Sequence, residues 1–357
     1  MFLLTIALAI SVTSGFNSVS IKQSHRPWVF GQTSLRSEAS RDAAVTDSGH
    51  LPTIAVVGAG WGGFGAALSL SNYYNADASS PKARIVLIDA LPDPTGRTPF
   101  LSPTGKPVEP GTRGFWYDYP NINSLVTKIL EKKEEEVFTP FTNSSFYSPD
   151  GLEITAPIFS EVGPNLPSPF GQVLKTFPLF ERLPLKDRAS MAGLLVAATD
   201  CIGSDDEKRK EEYDKMSAYD LLVKCKCSKR LIDDFIRPTL LVGLFKPPEE
   251  LSALVTLELL YFYALAHTTS FDVRWIKNGT VASSIFAPLS EKLIEQNCLE
   301  VKGGCFVNEI STGGADNSVQ AITFTDRATN TQHTINNLAG AVIALGNKGL
   351  KSVVKTR

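Results

Sequence analysis

The stretch VVGAGWGGFGAALSL, residues 56–70, carries Gly58, Gly60 and Gly63 at G-x-G-x-x-G spacing. A short β-branched run, TIAVV at residues 53–57, precedes it, and small and apolar residues at helical spacing follow. Strand, glycine turn and helix in that order form the context in which such a loop, here Gly58-Ala59-Gly60, cradles a diphosphate. Gly58 permits the tight turn, Gly60 lets the main chain approach the phosphates, and Gly63 lets the helix pack closely on the strand. The start of the helix then offers unpaired N–H groups and the positive end of its dipole.

Working outward, a polar loop leads to RIVLID at residues 84–89, which reads as a second parallel strand ending in a carboxylate. Asp89 can accept hydrogen bonds from both hydroxyls of an adenosine ribose and repels a 2′-phosphate. It falls later than the usual spacing of about twenty residues, and the polar loop accounts for the excess. These elements predict an α/β chain with a Rossmann-like nucleotide-binding domain around a parallel sheet. They do not separate FAD from NAD, because both present an adenosine diphosphate. Residues 91–119, LPDPTGRTPFLSPTGKPVEPGTRGFWYDY, are full of turns where a nicotinamide-binding domain should continue with strands and helices. An NAD-dependent dehydrogenase is therefore disfavoured.

The segment after Asp89 resembles the flavin-dependent amine oxidase and carotenoid desaturase/isomerase superfamily, most closely its plant and algal desaturase-like members. In that family a G-G-R element reaches the FAD pyrophosphate and an acid-x-G-x-x-G-F/W segment lies beside the flavin ring. Here the first is Thr95-Gly96-Arg97, with threonine for one glycine, and the second runs from Glu109 through Gly111, Thr112 and Gly114 to Phe115-Trp116. Trp275-Ile276-Lys277-Asn278-Gly279 is similar to the entry to the second FAD-domain crossing. The helix expected at residues 281–296 follows, and the strand at 305–310 places Val307 where a main chain receives the adenine. The resemblance implies an FAD-dependent oxidoreductase that moves a hydride from an apolar polyene or an amine carbon to flavin. Arg97 would pair with phosphate oxygens, and Gly111 and Gly114 would let the chain pass close to a flat ring.

The rest of the chain sets the frame. With 357 residues, 35 basic and 37 acidic, it can bury a large core and carries no global field for nucleic acid. MFLLTIALAISVTSG, residues 1–15, has the short apolar run of a signal peptide, and the serine-rich segment 16–50 has transit-peptide composition. Together they resemble the bipartite plastid presequence of algae with complex plastids. Secretion is the alternative, to which the sequons at Asn143 and Asn278 are equally suited.

Residues 51–139 then form the first part of the FAD-binding domain, 140–270 a largely helical substrate cap, 271–346 the second FAD-binding part and 347–357 a tail. In the cap, Ser217 with Asp220 makes a helix start, and residues 235–245 and 253–266 are strongly apolar, suited to a small apolar substrate and compatible with peripheral lipid contact. His267 reads as a cavity-wall histidine, and Cys225 and Cys227 as thiols of a helical segment. No arrangement argues for metal binding or hydrolysis, and no catalytic side chain is assigned, which suits chemistry carried by a flavin. Residues 319–325 and 333–335 predict a hairpin, and 339–345 a buried parallel strand. Family members continue well beyond that strand, so the resemblance implies that the C-terminal part of the family fold is absent. This keeps open a non-catalytic binding or scaffold relative that retains the nucleotide-binding shell.

Overall fold

A computed structural model describes residues 51–353 apart from 78, 99, 110–112, 118, 162–178, 181, 204–206, 262–271, 297 and 314–317. The expectations for residues 1–50, Gly111, Thr112 and His267 lie outside the described residues.

The strands in chain order are β1 (Thr53–Val57), β2 (Arg84–Ile88), β3 (Phe115–Trp116), β4 (Ser144–Ser148), β5 (Gly151–Ala156), β6 (Val273–Arg274), β7 (Glu300–Lys302), β8 (Cys305–Gly313), β9 (Ser318–Asp326), β10 (Thr331–Asn336) and β11 (Leu338–Ile343). The longer helices are α1 (Trp61–Tyr74), α2 (Ala192–Gly203), α3 (Glu207–Asp214), α4 (Ala218–Lys224), α5 (Arg237–Leu244), α6 (Ala253–Leu260), α7 (Ala287–Glu295) and α8 (Asn347–Val353).

The nucleotide-binding part has an α/β architecture built on a parallel sheet in the order β11-β1-β2-β7. Alternation along β1 and β2 explains its layers. Val56, Ile85 and Leu87 point to one face, where Phe64 and Leu68 of α1 and Leu289 and Leu293 of α7 cover them. Ala55, Val57, Val86 and Ile88 point to the other, against Val307, Ile322 and Phe324 of the antiparallel meander β10-β9-β8. A strand covered on both faces must be apolar throughout, which is why TIAVV and RIVLI lack polar interruptions. Each such aliphatic side chain gains about 1.5–3 kcal/mol from full burial.

The hairpin expected at 319–335 is present as β9 and β10, with a tighter turn and longer strands. The strand expected at 339–345 is β11, parallel to β1, but it is half-buried because it forms the outer edge of the sheet. The helix expected at 281–296 is also present, its first turn a π-helix at Ala282–Phe286 before α7.

Helices α2, α4, α5 and α6 and the hairpin β4–β5 share a separate core around Leu194, Leu222, Leu231 and Leu257. Three serines cap helices there in the same way. Ser217, Ser228 and Ser252 each accept a main-chain N–H three residues on, from Asp220, Leu231 and Val255. Among the described residues no helix is long and apolar enough to cross a membrane.

Candidate cofactor site

The chain leaves the carboxyl end of β1 through Gly58, whose φ is +103°. A side chain there would be strained by the backbone alone and would also meet the carbonyl oxygen of Ala344 at 2.4 Å. Ala344 belongs to the loop after β11 and donates its N–H to Val57 at 2.8 Å, so the turn is closed from the neighbouring strand. Gly63 is pinned still more tightly, because a Cβ on it would fall 1.7 Å from the carbonyl oxygen of Gly58. Gly60, in contrast, is exposed and has no heavy atom within 4 Å of the position a Cβ would take. The two flanking glycines are needed for packing, and the middle one faces open space.

Gly60 is also the N-cap of α1. No side chain caps that end and no acidic residue lies in its first turn. A fourteen-residue helix with its first N–H groups unclaimed and its positive dipole end open is a site for a phosphate anion.

Asp89 closes the loop from the end of β2. Its Oδ2 accepts the N–H of Ala59 at 2.7 Å, and its Oδ1 accepts the N–H of Leu91 at 2.7 Å. Each carboxylate oxygen has a further lone pair, so both can still accept ribose hydroxyls. The main chain of Asp89 donates to Lys302 at 3.0 Å and accepts from Cys305 at 2.8 Å. These bonds carry β8 to the acid and set Val307 two residues further along it. The side chain of Val307 is buried among the meander residues, and its strand is an outer strand whose pairing with β9 slips at Asn308.

A second helix start lies beside the first. Phe286 stacks on Phe64 at 4.8 Å and meets Trp61 edge-on at 4.6 Å, while Ser71 Oγ donates to Cys298 at 3.3 Å at the far end. Hence α7 and its π-helical first turn run parallel to α1. This second start is closed: Glu109 accepts the N–H of Val281 at 2.9 Å, Thr280 N donates to Ser283 Oγ at 2.9 Å, and Ser283 N donates back to Thr280 Oγ1 at 3.1 Å. Of two parallel helix starts, only that of α1 is left for an external anion.

Gly96, with φ of +79°, packs on Ala282 at the start of the second helix, and the Arg97 guanidinium lies 3.1 Å from Glu291 on α7. Gly114 lies against Val273 and Trp275 where β3 pairs with β6. Phe115 turns inward beside Phe138, and Trp61 touches it edge-on at 6.3 Å. Thus Gly58, Ala59, Gly60, Gly63 and Asp89 form one cluster, with Val307 tied to it through Cys305. Gly96, Arg97 and Gly114 lie along the second crossing.

Sequence reading missed three residues around this cluster: Ala344 closes Gly58, and Asp93 and Glu291 hold the Thr95–Arg97 turn. Only Asp93, two residues before a threonine in a proline-containing turn, carried a local signal for this role. Glu109, read as the acid of the segment expected beside the flavin ring, stoppers the second helix.

The cysteines are free thiols, and burial raises the pKa of each. Cys227 rises to about 11 through burial and the neighbouring Cys225. No group of three or more His, Cys, Asp or Glu among the described residues could hold a metal ion.

With this geometry, the chain matches the model of an NAD(P)-binding Rossmann-like domain over residues 56–129. No curated protein matches it in sequence. Solved structures share the fold, among them the following two. One is an oxidoreductase from Methanosarcina mazei, with a TM-score of 0.50 and 17% identity, the match covering 82% of this chain and 59% of that one. The other is cyclohexylamine oxidase from Brevibacterium oxydans, with a TM-score of 0.56 and 15% identity, covering 83% of this chain and 58% of that one. The chain therefore spans less than two thirds of the length of either of these structures.

Proposed function

We propose that this chain is an FAD-dependent oxidoreductase that takes a hydride from an apolar substrate, either a polyene or an amine carbon. The observation that carries this reading is the joined pair of strand ends: Asp89 holds Ala59 while Gly60 and the start of α1 stay open. An adenosine diphosphate fits that arrangement, with the ribose at Asp89 and the phosphates at Gly60 and the first N–H groups of α1. The turn-rich segment after β2 and the fold shared with cyclohexylamine oxidase support FAD over NAD.

When bound, FAD would accept the hydride, which carries both electrons from the substrate carbon. The chain's own residues bind and orient. Asp89 fixes the ribose end, α1 neutralises the diphosphate, and Phe115, Trp61 and Phe286 form an aromatic wall where the second crossing meets the first. These rings offer no proton-transfer group, so side-chain acid–base chemistry is not assigned.

The test is FAD titration of the purified full chain. A yellow protein whose visible flavin absorbance is lost on Gly60→Val supports the reading. A colourless protein that takes up NAD and not FAD refutes it.

A further inference from the structure

The Thr95-Gly96-Arg97 turn has the residues of a phosphate-reading element, yet several of its polar groups already pair with the chain's own carboxylates. Asp93 Oδ1 accepts both the N–H of Thr95 at 3.0 Å and its hydroxyl at 2.5 Å, and Asp93 Oδ2 accepts the N–H of Thr98 at 2.5 Å. Partial burial would raise the Asp93 pKa, but the hydrogen bonds from Thr95 and Thr98 prevail and hold it below the ordinary value. This carboxylate is therefore charged and fully engaged with the turn.

Arg97 is paired more loosely, at a site where both side chains are about half exposed. Its Nε lies 3.1 Å from Glu291 Oε1. Glu291 sits two residues after Leu289 and two before Leu293, both of which pack inward with Phe64 and Leu68 of α1. Residues two apart on a helix point to nearly opposite sides, so Glu291 is on the flank turned away from α1. The guanidinium is thus drawn away from the open helix start. Gly96 fixes the turn in place, because a Cβ there would lie 2.5 Å from Ala282 Cβ.

We propose that Asp93 and Glu291 act as built-in anions that close this turn on itself. The cofactor's diphosphate is then read by the glycine loop and the start of α1, and the turn staples the segment after β2 to the second helix. This rests on the FAD reading above and concerns how that cofactor is held.

The experiment is FAD titration of the full chain, followed by flavin and tryptophan fluorescence, with melting temperatures measured in parallel for wild type, Arg97→Ala, Glu291→Gln and Gly60→Val. Arg97→Ala and Glu291→Gln are expected to lower the melting temperature alike while keeping FAD affinity within about twofold of wild type, and Gly60→Val to abolish binding. A loss of about tenfold or more on Arg97→Ala, with Glu291→Gln unchanged, overturns the proposal and leaves the FAD reading standing, since it would identify a direct charge-assisted contact to phosphate. Failure of wild type to bind FAD overturns both.

Discussion

The Asp89 carboxylate accepts the main-chain N–H of Ala59 at 2.7 Å, which joins the acid at the end of β2 to the glycine loop at the end of β1. One residue thereby shapes the loop and, in the FAD reading, would hold the ribose. Asp89→Ala is expected to weaken FAD binding by about 1.5–3 kcal/mol, the range for a hydrogen bond to a charged group, and to cost stability as well. Asp89→Asn keeps one acceptor for Ala59 but sets its NH2 against the Leu91 N–H, and should recover part of the stability and little of the affinity. Titration and thermal melting of the two variants separate the roles.

Gly63→Ala places a methyl group where the Gly58 carbonyl already is. Either the glycine turn or the start of α1 must move, and the expected loss is about 3 kcal/mol, at the upper end for overpacking. Denaturant unfolding checks it. Gly65, next along the helix and with open space at its Cβ position, is the control, and Gly65→Ala should be neutral or slightly stabilising.

Asp93 gives a pH dependence whose sign can be fixed. Its folded pKa lies below the ordinary aspartate value of 3.8, so its contribution is fully present above that value and is lost as pH falls through the lower folded one. Asp93→Asn should melt earlier than wild type at neutral pH, and the gap between them should close below about pH 4. Melting curves across that range are the measurement, and a constant gap would show that the carboxylate's charge is not what holds Thr95 and Thr98.

Arg274 is buried on β6, with Glu134 at 2.6 Å, Asn123 at 2.9 Å and the rings of Phe138 and Phe141 at 4.3 and 5.0 Å from its guanidinium carbon. Its Nε is buried without a hydrogen-bond partner. Removing one member of a buried pair typically costs about 3–5 kcal/mol, but Glu134 is partly exposed and is rescued by water, so Arg274→Met should cost about 2–3 kcal/mol. Glu134→Gln should cost less, which urea unfolding of both variants can establish.

The βαβ core was legible because two local signals coincide in it. After their first residues, TIAVV and RIVLI are apolar throughout, as strands covered on both faces must be, and Gly58 and Gly63 have direct steric reasons. The half-exposure of β11 was not legible, since AGAVIAL reads the same whether or not a neighbour covers its outer edge. Nor was the π-helical turn before α7, because apolar spacing reports a helix face and not the hydrogen-bond ladder behind it. Within the site, Asp89 and the glycines follow from the chain near them. Glu291, Glu109 and Ala344 act on residues far away in sequence, so only the folded chain shows their partners.

The closure of Gly58 by Ala344 also sets an order of events during synthesis. The glycine loop emerges from the ribosome long before the strand that completes it, and β1 has only β2 as an early partner. Pairings between such distant segments form late and slowly. In the FAD reading, the nucleotide would therefore be loaded late, and until β11 docks, β1 keeps one edge of the sheet without its partner strand.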